Sequence, residues 1–379
     1  MTHEVERRGL SRTWVLAAFA GVNLAMVAVV GVQMGEDSTL YVDGARALLS
    51  GEGLEARQPS YLGYISLVAL AEWLRLGLFG LVVMQVAAAT LAAAVVYRIA
   101  AELAGPLAGV LSVVLLTLDA HSNRWHAYVL SDSIYTSMLV VAARLAYQPG
   151  TKPAAAAVLG VAALVRPEGW FLIPAVAIFW VWRDISRPAL RWVSLAGVAA
   201  CGASLVLLVA PRLSGNLQAV GPGEMLRSGQ TIWDYGGLRL QMPDEPVLDA
   251  PGGSAGRAVA YAVKHPVSTL TLMAARLGVH VAHVRPFYSL RHNLLILLWL
   301  LPVYGLGVYG WSRLRQHPLV RWCLVVIATQ ALVVALTHAD WDGRYLAHVL
   351  PLWYPLAACG LVMVVPGRRR LPATEGVRG

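Results

Sequence analysis

Residues 14–41 read WVLAAFAGVNLAMVAVVGVQMGEDSTLY. The run from Trp14 to Met34 has the length and apolar character of a membrane helix, which needs ~20 such residues to cross the hydrocarbon. It ends directly on Gly35, Glu36 and Asp37. A carboxylate is costly in hydrocarbon, so this acidic pair marks the place where a helix meets water. Acids at such a rim are either solvated there or at work there, and what else gathers on the same rim separates the two readings. Arg7, Arg8 and Arg12 precede the run as they would in a signal peptide. No small-x-small cleavage site follows, so a retained anchor helix is expected.

The rest of the chain has the same character. Of 379 residues, 58% are hydrophobic and 13% charged, against ~25% charged in an average soluble domain. Long apolar runs alternate with short Arg-bearing loops, the pattern of a multi-spanning membrane protein. The net charge of +9 is spread over loops and tails, with no basic stripe carrying interleaved aromatics, so nucleic acid is not an expected partner. Cys201, Cys323 and Cys359 all lie inside apolar segments, which speaks against a disulfide framework or a CxxC metal site. The expected fold is all-α: a single polytopic membrane helix bundle.

Further spans read as 82–101, 106–120, 132–147, 154–166, 169–183, 192–212, 292–311, 319–338 and 344–365. Two more apolar stretches, 61–80 and 267–285, are either spans or surface helices, and the choice flips every loop between them. The positive-inside rule decides it. With both stretches lying along the outer surface, the inner loops collect Arg98, Arg144, Lys152, Arg183, Arg187, Arg191, Arg313, Arg315 and Arg321, and the tails add the Arg368–Arg370 run. About ten spans with both termini cytoplasmic are therefore expected, in a cell (plasma or inner) membrane. Segment 61–80 becomes an interfacial helix whose Glu72 and Arg75 share a wet face. The loops 35–80 and 213–291 are then extracytoplasmic, and the tails 1–13 and 366–379 cytoplasmic. Glu36, Asp37 and Asp43, the stretch His121 to Asp132, Arg166 and Glu168, and Asp340, Asp342 and Arg344 all fall on the outer rim.

Several short stretches carry a resemblance. Glu36-Asp37-Ser38-Thr39-Leu40-Tyr41 precedes a short helix ending at Gly51, and Gln58-Pro59-Ser60-Tyr61 forms a Pro-containing turn. Ser131-Asp132-Ser133, Leu164-Val165-Arg166-Pro167-Glu168-Gly169 and Gly343-Arg344-Tyr345 follow in that order. In order and spacing they resemble the C-type (GT-C) integral-membrane glycosyltransferases, among them protein O-mannosyltransferases, lipid A aminoarabinose transferases and lipopolysaccharide-core transferases. The resemblance implies inverting transfer of a sugar from a polyprenyl-phosphate donor to a lipid, glycan or protein acceptor outside the membrane. Such a reaction needs a base for the acceptor proton, a cation for the leaving phosphate and an apolar groove for the isoprenoid.

By resemblance and position Asp37 is the catalytic base, with N-cap of the helix after it as the plain alternative. Glu36 is either a second candidate base or a bystander, and Asp43 reads as solvated. Asp132 is an acceptor- or metal-side acid, or the N-cap of the span from 132. Arg166 and Glu168 either stabilise a turn or belong to the substrate site, with Arg166 binding phosphate. Arg344, followed by Tyr345, either contacts the donor phosphate or pairs locally with Asp340 and Asp342. Arg285 and Arg291, around Pro286-Phe287-Tyr288, are candidates for phosphate or lipid headgroups. His121, His126, His265, His338 and His348 fit no specific ligand spacing. A divalent cation such as Mg2+ or Mn2+ on the carboxylates stays open. The rival class is a transporter or flippase for a lipid-linked substrate, but transporters tend to carry polar breaks at the membrane midplane rather than at one rim.

Overall fold

A computed structural model describes residues 2–55, 57–197, 222–245 and 254–365. The expected span 192–212 falls largely outside these residues, as does the Arg368–Arg370 run. Among the described residues the fold is all helical, with isolated bridges and no strand.

Among the described residues, four helices contain a stretch long and apolar enough to cross a membrane. They are α1 (Thr2–Val30), α4 (Gly77–Ala104), α13 (Leu290–Leu314) and α14 (Pro318–Leu336). Leu294, Leu298 and Leu301 recur along one face of α13 and are exposed. An apolar stripe open to the outside suits contact with lipid better than with water. The remaining bundle helices are shorter: α5 (Pro106–Leu118), α7 (Asp132–Tyr147), α8 (Lys152–Val165), α9 (Gly169–Asp184) and α16 (Leu350–Val364). At 1.5 Å per residue they reach only ~20–24 Å. Helix α7 packs on α4, α8 and α14, and α16 on α13, α4 and α5. Helices α13 and α16 approach so closely that a Cβ on Gly310 would lie 2.1 Å from the Leu356 carbonyl oxygen.

Two expectations about boundaries change. Segment 61–80 is not one helix: α3 (Leu62–Trp73) ends in a turn where Arg75 and Gly77 take positive φ, and residues 77–80 already belong to α4. The expected span 344–365 is broken at His348 and Val349 into a single turn, α15 (Arg344–Ala347), and α16. Pro351 in the first turn of α16 lacks the N–H that a continuous helix would bond back to the Ala347 carbonyl, so the helix is interrupted there.

The chain then ties its connections together. After α1, Gln33 exchanges backbone hydrogen bonds with Ala127 and Val129, and Ser38 Oγ donates to the Val129 carbonyl. This seats α2 (Ser38–Ser50) beside the start of α7. Helix α3 lies against α8, with Gly63 on the backbone of Leu164 and Val165. Residues 229–240 dock on Ala339, and the buried Arg276 of α12 (Pro266–Ala282) donates to four carbonyls around them.

Candidate functional site

The connections converge on one cluster of charge. Its deep half is built on Arg166, which follows α8 in extended backbone and turns its guanidinium back toward the start of α7. Nε and Nη2 donate to both oxygens of Glu168, at 3.3 and 2.9 Å, and Nη1 donates to Asp132 Oδ1 at 2.7 Å and to Ser131 Oγ. Tyr135 and Tyr345 flank the guanidinium at 5.9 and 5.6 Å, within cation–π range. His348 Nε2 donates to the same Asp132 oxygen at 3.0 Å. Arg166, Asp132 and His348 are all buried. Burial alone would raise the Glu168 carboxyl, but the adjoining Arg166 outweighs it and holds the acid below its ordinary range.

The outer half is built on Asp37. Helix α2 starts after it, yet its carboxylate makes no capping bond. It faces two cations instead: Arg344 Nη1 at 3.4 Å, from 307 residues away, and Arg57 Nη2 at 3.6 Å. Asp37 and Arg344 keep about a fifth of their side-chain surface exposed (19% and 20%), and Arg57 nearly half (46%). Arg344 is also within electrostatic reach of Asp132, which joins the two halves. Ser131 links them a second time, since it accepts from Arg166 and meets the Tyr41 hydroxyl at 3.4 Å.

Arg344 is delivered by a loop held by its carbonyls. Arg285 donates to those of Asp340 and Trp341, Arg124 to that of Asp342, and His121 Nε2 to that of Gly343. The Asp340 carboxylate accepts from the backbone N–H groups of Arg344 and Tyr345. Gly343 has φ +75 and lies against the His283 ring, so a side chain there would be both strained and blocked. Burial pushes His126 down to about 4 and, next to His121 and two arginines, His283 down to about 2. These imidazoles are neutral at physiological pH.

The cluster brings together Asp37, Asp132, Arg166, Glu168, Arg344 and Tyr345. It does not bring in Arg285, whose guanidinium is buried and filled by backbone carbonyls, including Val279 and Val284 of its own segment. Four of its five N–H groups donate to backbone carbonyls and none of its surface is exposed, so the guanidinium is closed to phosphate and Arg285 acts here as a clamp on the Arg344 loop. Glu36 and Arg291 are exposed, and Asp43 pairs with Arg46 on the surface. Arg344 does not form the local ion pair: Asp340 caps backbone, and Asp342 turns to Arg124 and Tyr288. The residues that sequence reading missed are Arg57 and the His348 contact to Asp132. Arg57 directly precedes the Gln58-Pro59-Ser60-Tyr61 turn, and His348 stands one helical turn beyond Arg344, so both had a positional signal.

Beside the cluster, on the other flank of α15, lies an apolar cavity of about 320 Å3 lined by Tyr304, Val308, Ile327, Leu346, Val349 and Trp353 among others. Leu346 and Val349 belong to the segment that carries Arg344. No three His, Cys, Asp or Glu side chains converge as a metal site among the described residues. Asp132 Oδ1 and both Glu168 oxygens are already engaged by Arg166. Compared with protein-family models and with curated proteins, the chain matches none.

Proposed function

We propose that the chain is a multi-spanning membrane glycosyltransferase that moves a sugar from a polyprenyl-phosphate donor to an envelope acceptor on the extracytoplasmic face. The observation that carries this reading is the meeting of Asp37 and Arg344 across 307 positions of sequence, next to the buried Asp132–Arg166–Glu168 group. A partly exposed carboxylate beside a guanidinium supplies the two things the reaction needs. Asp37 takes the proton of the acceptor hydroxyl or amine as it attacks the anomeric carbon. Arg344 stabilises the charge that develops on the departing phosphate. The apolar cavity flanking α15 suits the first isoprene units of the carrier, being about the size of a small-ligand pocket. Asp132, Arg166 and Glu168 hold the scaffold beneath, and Tyr345 packs over Arg166.

The topology that goes with this reading has about ten spans, both termini cytoplasmic and the cluster outside. Polar groups gathered at one end, with span interiors almost free of charge, support an enzyme over a transporter. Two experiments test it. Cells lacking the gene should accumulate the sugar-loaded polyprenyl carrier, read by mass spectrometry of envelope lipids; an unchanged carrier pool would refute the activity. Single cysteines at 184–190 and 222–230, in a background without the native three, should label from opposite sides of the membrane; same-side labelling would refute the topology.

A further inference from the structure

The two cations nearest Asp37 hold it loosely. Arg57 Nη2 stands 3.6 Å from Oδ1 and Arg344 Nη1 3.4 Å from Oδ2, so each carboxylate oxygen faces its own guanidinium. A tight charge-assisted contact is ~2.7–2.9 Å. The closest contact of Arg166 to each acid keeps that distance, 2.7 Å to Asp132 and 2.9 Å to Glu168. The deep pairs are closed and dry, whereas the outer ones are long and wet. A phosphate offers two anionic oxygens at nearly the spacing of a carboxylate, and guanidinium groups bind both.

We propose that Arg57 and Arg344 form a two-armed phosphate clamp whose resting occupant is the Asp37 carboxylate, so that the arriving carrier phosphate displaces Asp37 and frees it as the base. This deepens the reading of Asp37 as proton acceptor and rests on it. A carboxylate released from two cations accepts a proton more readily. The acceptor oxygen then bonds to the anomeric carbon, and its proton passes to Asp37. The bond from that carbon to the phosphate oxygen breaks, leaving its electron pair on the oxygen. The phosphate thereby changes from a singly charged diester to a monoester of higher charge, and two guanidinia hold the product side of the reaction more strongly than the substrate side. The base comes free only once the donor is seated, so donor binds before acceptor.

The test is equilibrium binding of undecaprenyl phosphate to the full chain in detergent, with inorganic phosphate and neutral undecaprenol as parallel probes. A competing carboxylate has a signature no structural ion pair shares: Asp37→Asn should tighten binding of the lipid phosphate about fivefold, the scale of a partly exposed ion pair. Arg57→Gln should weaken it about tenfold, the scale of a charge-assisted hydrogen bond, and Arg57→Lys should recover part of the loss. In the Arg57→Gln background the gain from Asp37→Asn should shrink. Undecaprenol binding should move in none of these variants. Binding in Asp37→Asn that is equal or weaker, or in Arg57→Gln equal to wild type, would overturn the clamp; Arg57 is exposed, so its variants decide the matter even where Asp37→Asn unfolds. Inorganic phosphate bound as tightly as the lipid would remove the carrier as its occupant. Because no sugar transfer is measured, failure of this test leaves the glycosyltransferase reading standing, and failure of that reading leaves the binding result intact.

Discussion

The deep and outer halves of the cluster use the same residue types for opposite ends. Around Arg166 each guanidinium nitrogen donates to Asp132, Glu168 or Ser131, at 2.7 to 3.3 Å and mostly out of water. Around Asp37 the contacts are longer than 3.3 Å and partly exposed. An ion pair that is buried and fully bonded cannot rearrange without stranding a charge, so it fixes geometry. A loose pair at the surface contributes little to stability and exchanges partners at low cost. On the proposed function, structure resides in the first and chemistry in the second.

The largest expected effect falls on the outer half. Asp37→Asn should cut sugar transfer by ~10²–10⁴-fold, the usual contribution of a positioned base, while the melting temperature in detergent stays near wild type. Near-wild-type turnover would break the assignment of chemistry to this half. The deep half should respond in the reverse sense. Arg166→Ala leaves Asp132 and Glu168 buried without their cation and should cost ~3–5 kcal/mol of stability, read as a drop in melting temperature before any assay is run.

A pH scan sharpens the border between the halves. His126 is buried and donates or accepts at Ser133 Oγ, and burial lowers its affinity for protons, to a value of about 4. The unfolded chain, with an ordinary imidazole, binds the proton from about 6.5 downward. Stability should therefore fall as pH drops from about 6.5 to about 4, by at most ~3 kcal/mol for this residue. His126→Gln should flatten the melting-temperature slope in that window by one proton's worth. The Glu168 carboxyl, held low by Arg166, contributes stability that is fully present above its ordinary range and is lost only as pH falls further. It therefore adds no slope between pH 6.5 and 5. The smallest effect belongs to Arg57→Gln, which should change stability by less than ~1 kcal/mol because its pair is exposed. A loss as large as that of Arg166→Ala would erase the distinction between the halves.

Much of the cluster was legible beforehand, and the reason differs by residue. Asp37, Asp132, Arg166, Glu168 and Arg344 sit at the ends of apolar runs, where a charge has to have a purpose or a partner. Arg344 misleads on local grounds, since Asp340 and Asp342 are its neighbours in sequence; a loop with φ +75 at Gly343 turns Asp340 onto backbone N–H groups and the guanidinium onto Asp37. Arg285 looks like a phosphate ligand beside Pro286 for the same reason Arg166 does, and only its four carbonyl partners separate the two. The break at His348 was hidden because Leu346 to Leu352 are apolar apart from that histidine, and a short span and a broken one have the same hydropathy.

Sequence alone determined that the described residues are all helical, with segments long and apolar enough to cross a membrane, and that charges collect between those segments rather than within them. Hydrophobicity sums over a local window, and any stretch of the chain reports its own. Tertiary structure alone decided which carboxylate meets which guanidinium, which pairs are dry and which wet, and that Arg57 stands opposite Arg344. Those outcomes depend on distances between residues hundreds of positions apart, where a difference of under 1 Å and the presence of water separate a fixed strut from an exchangeable contact.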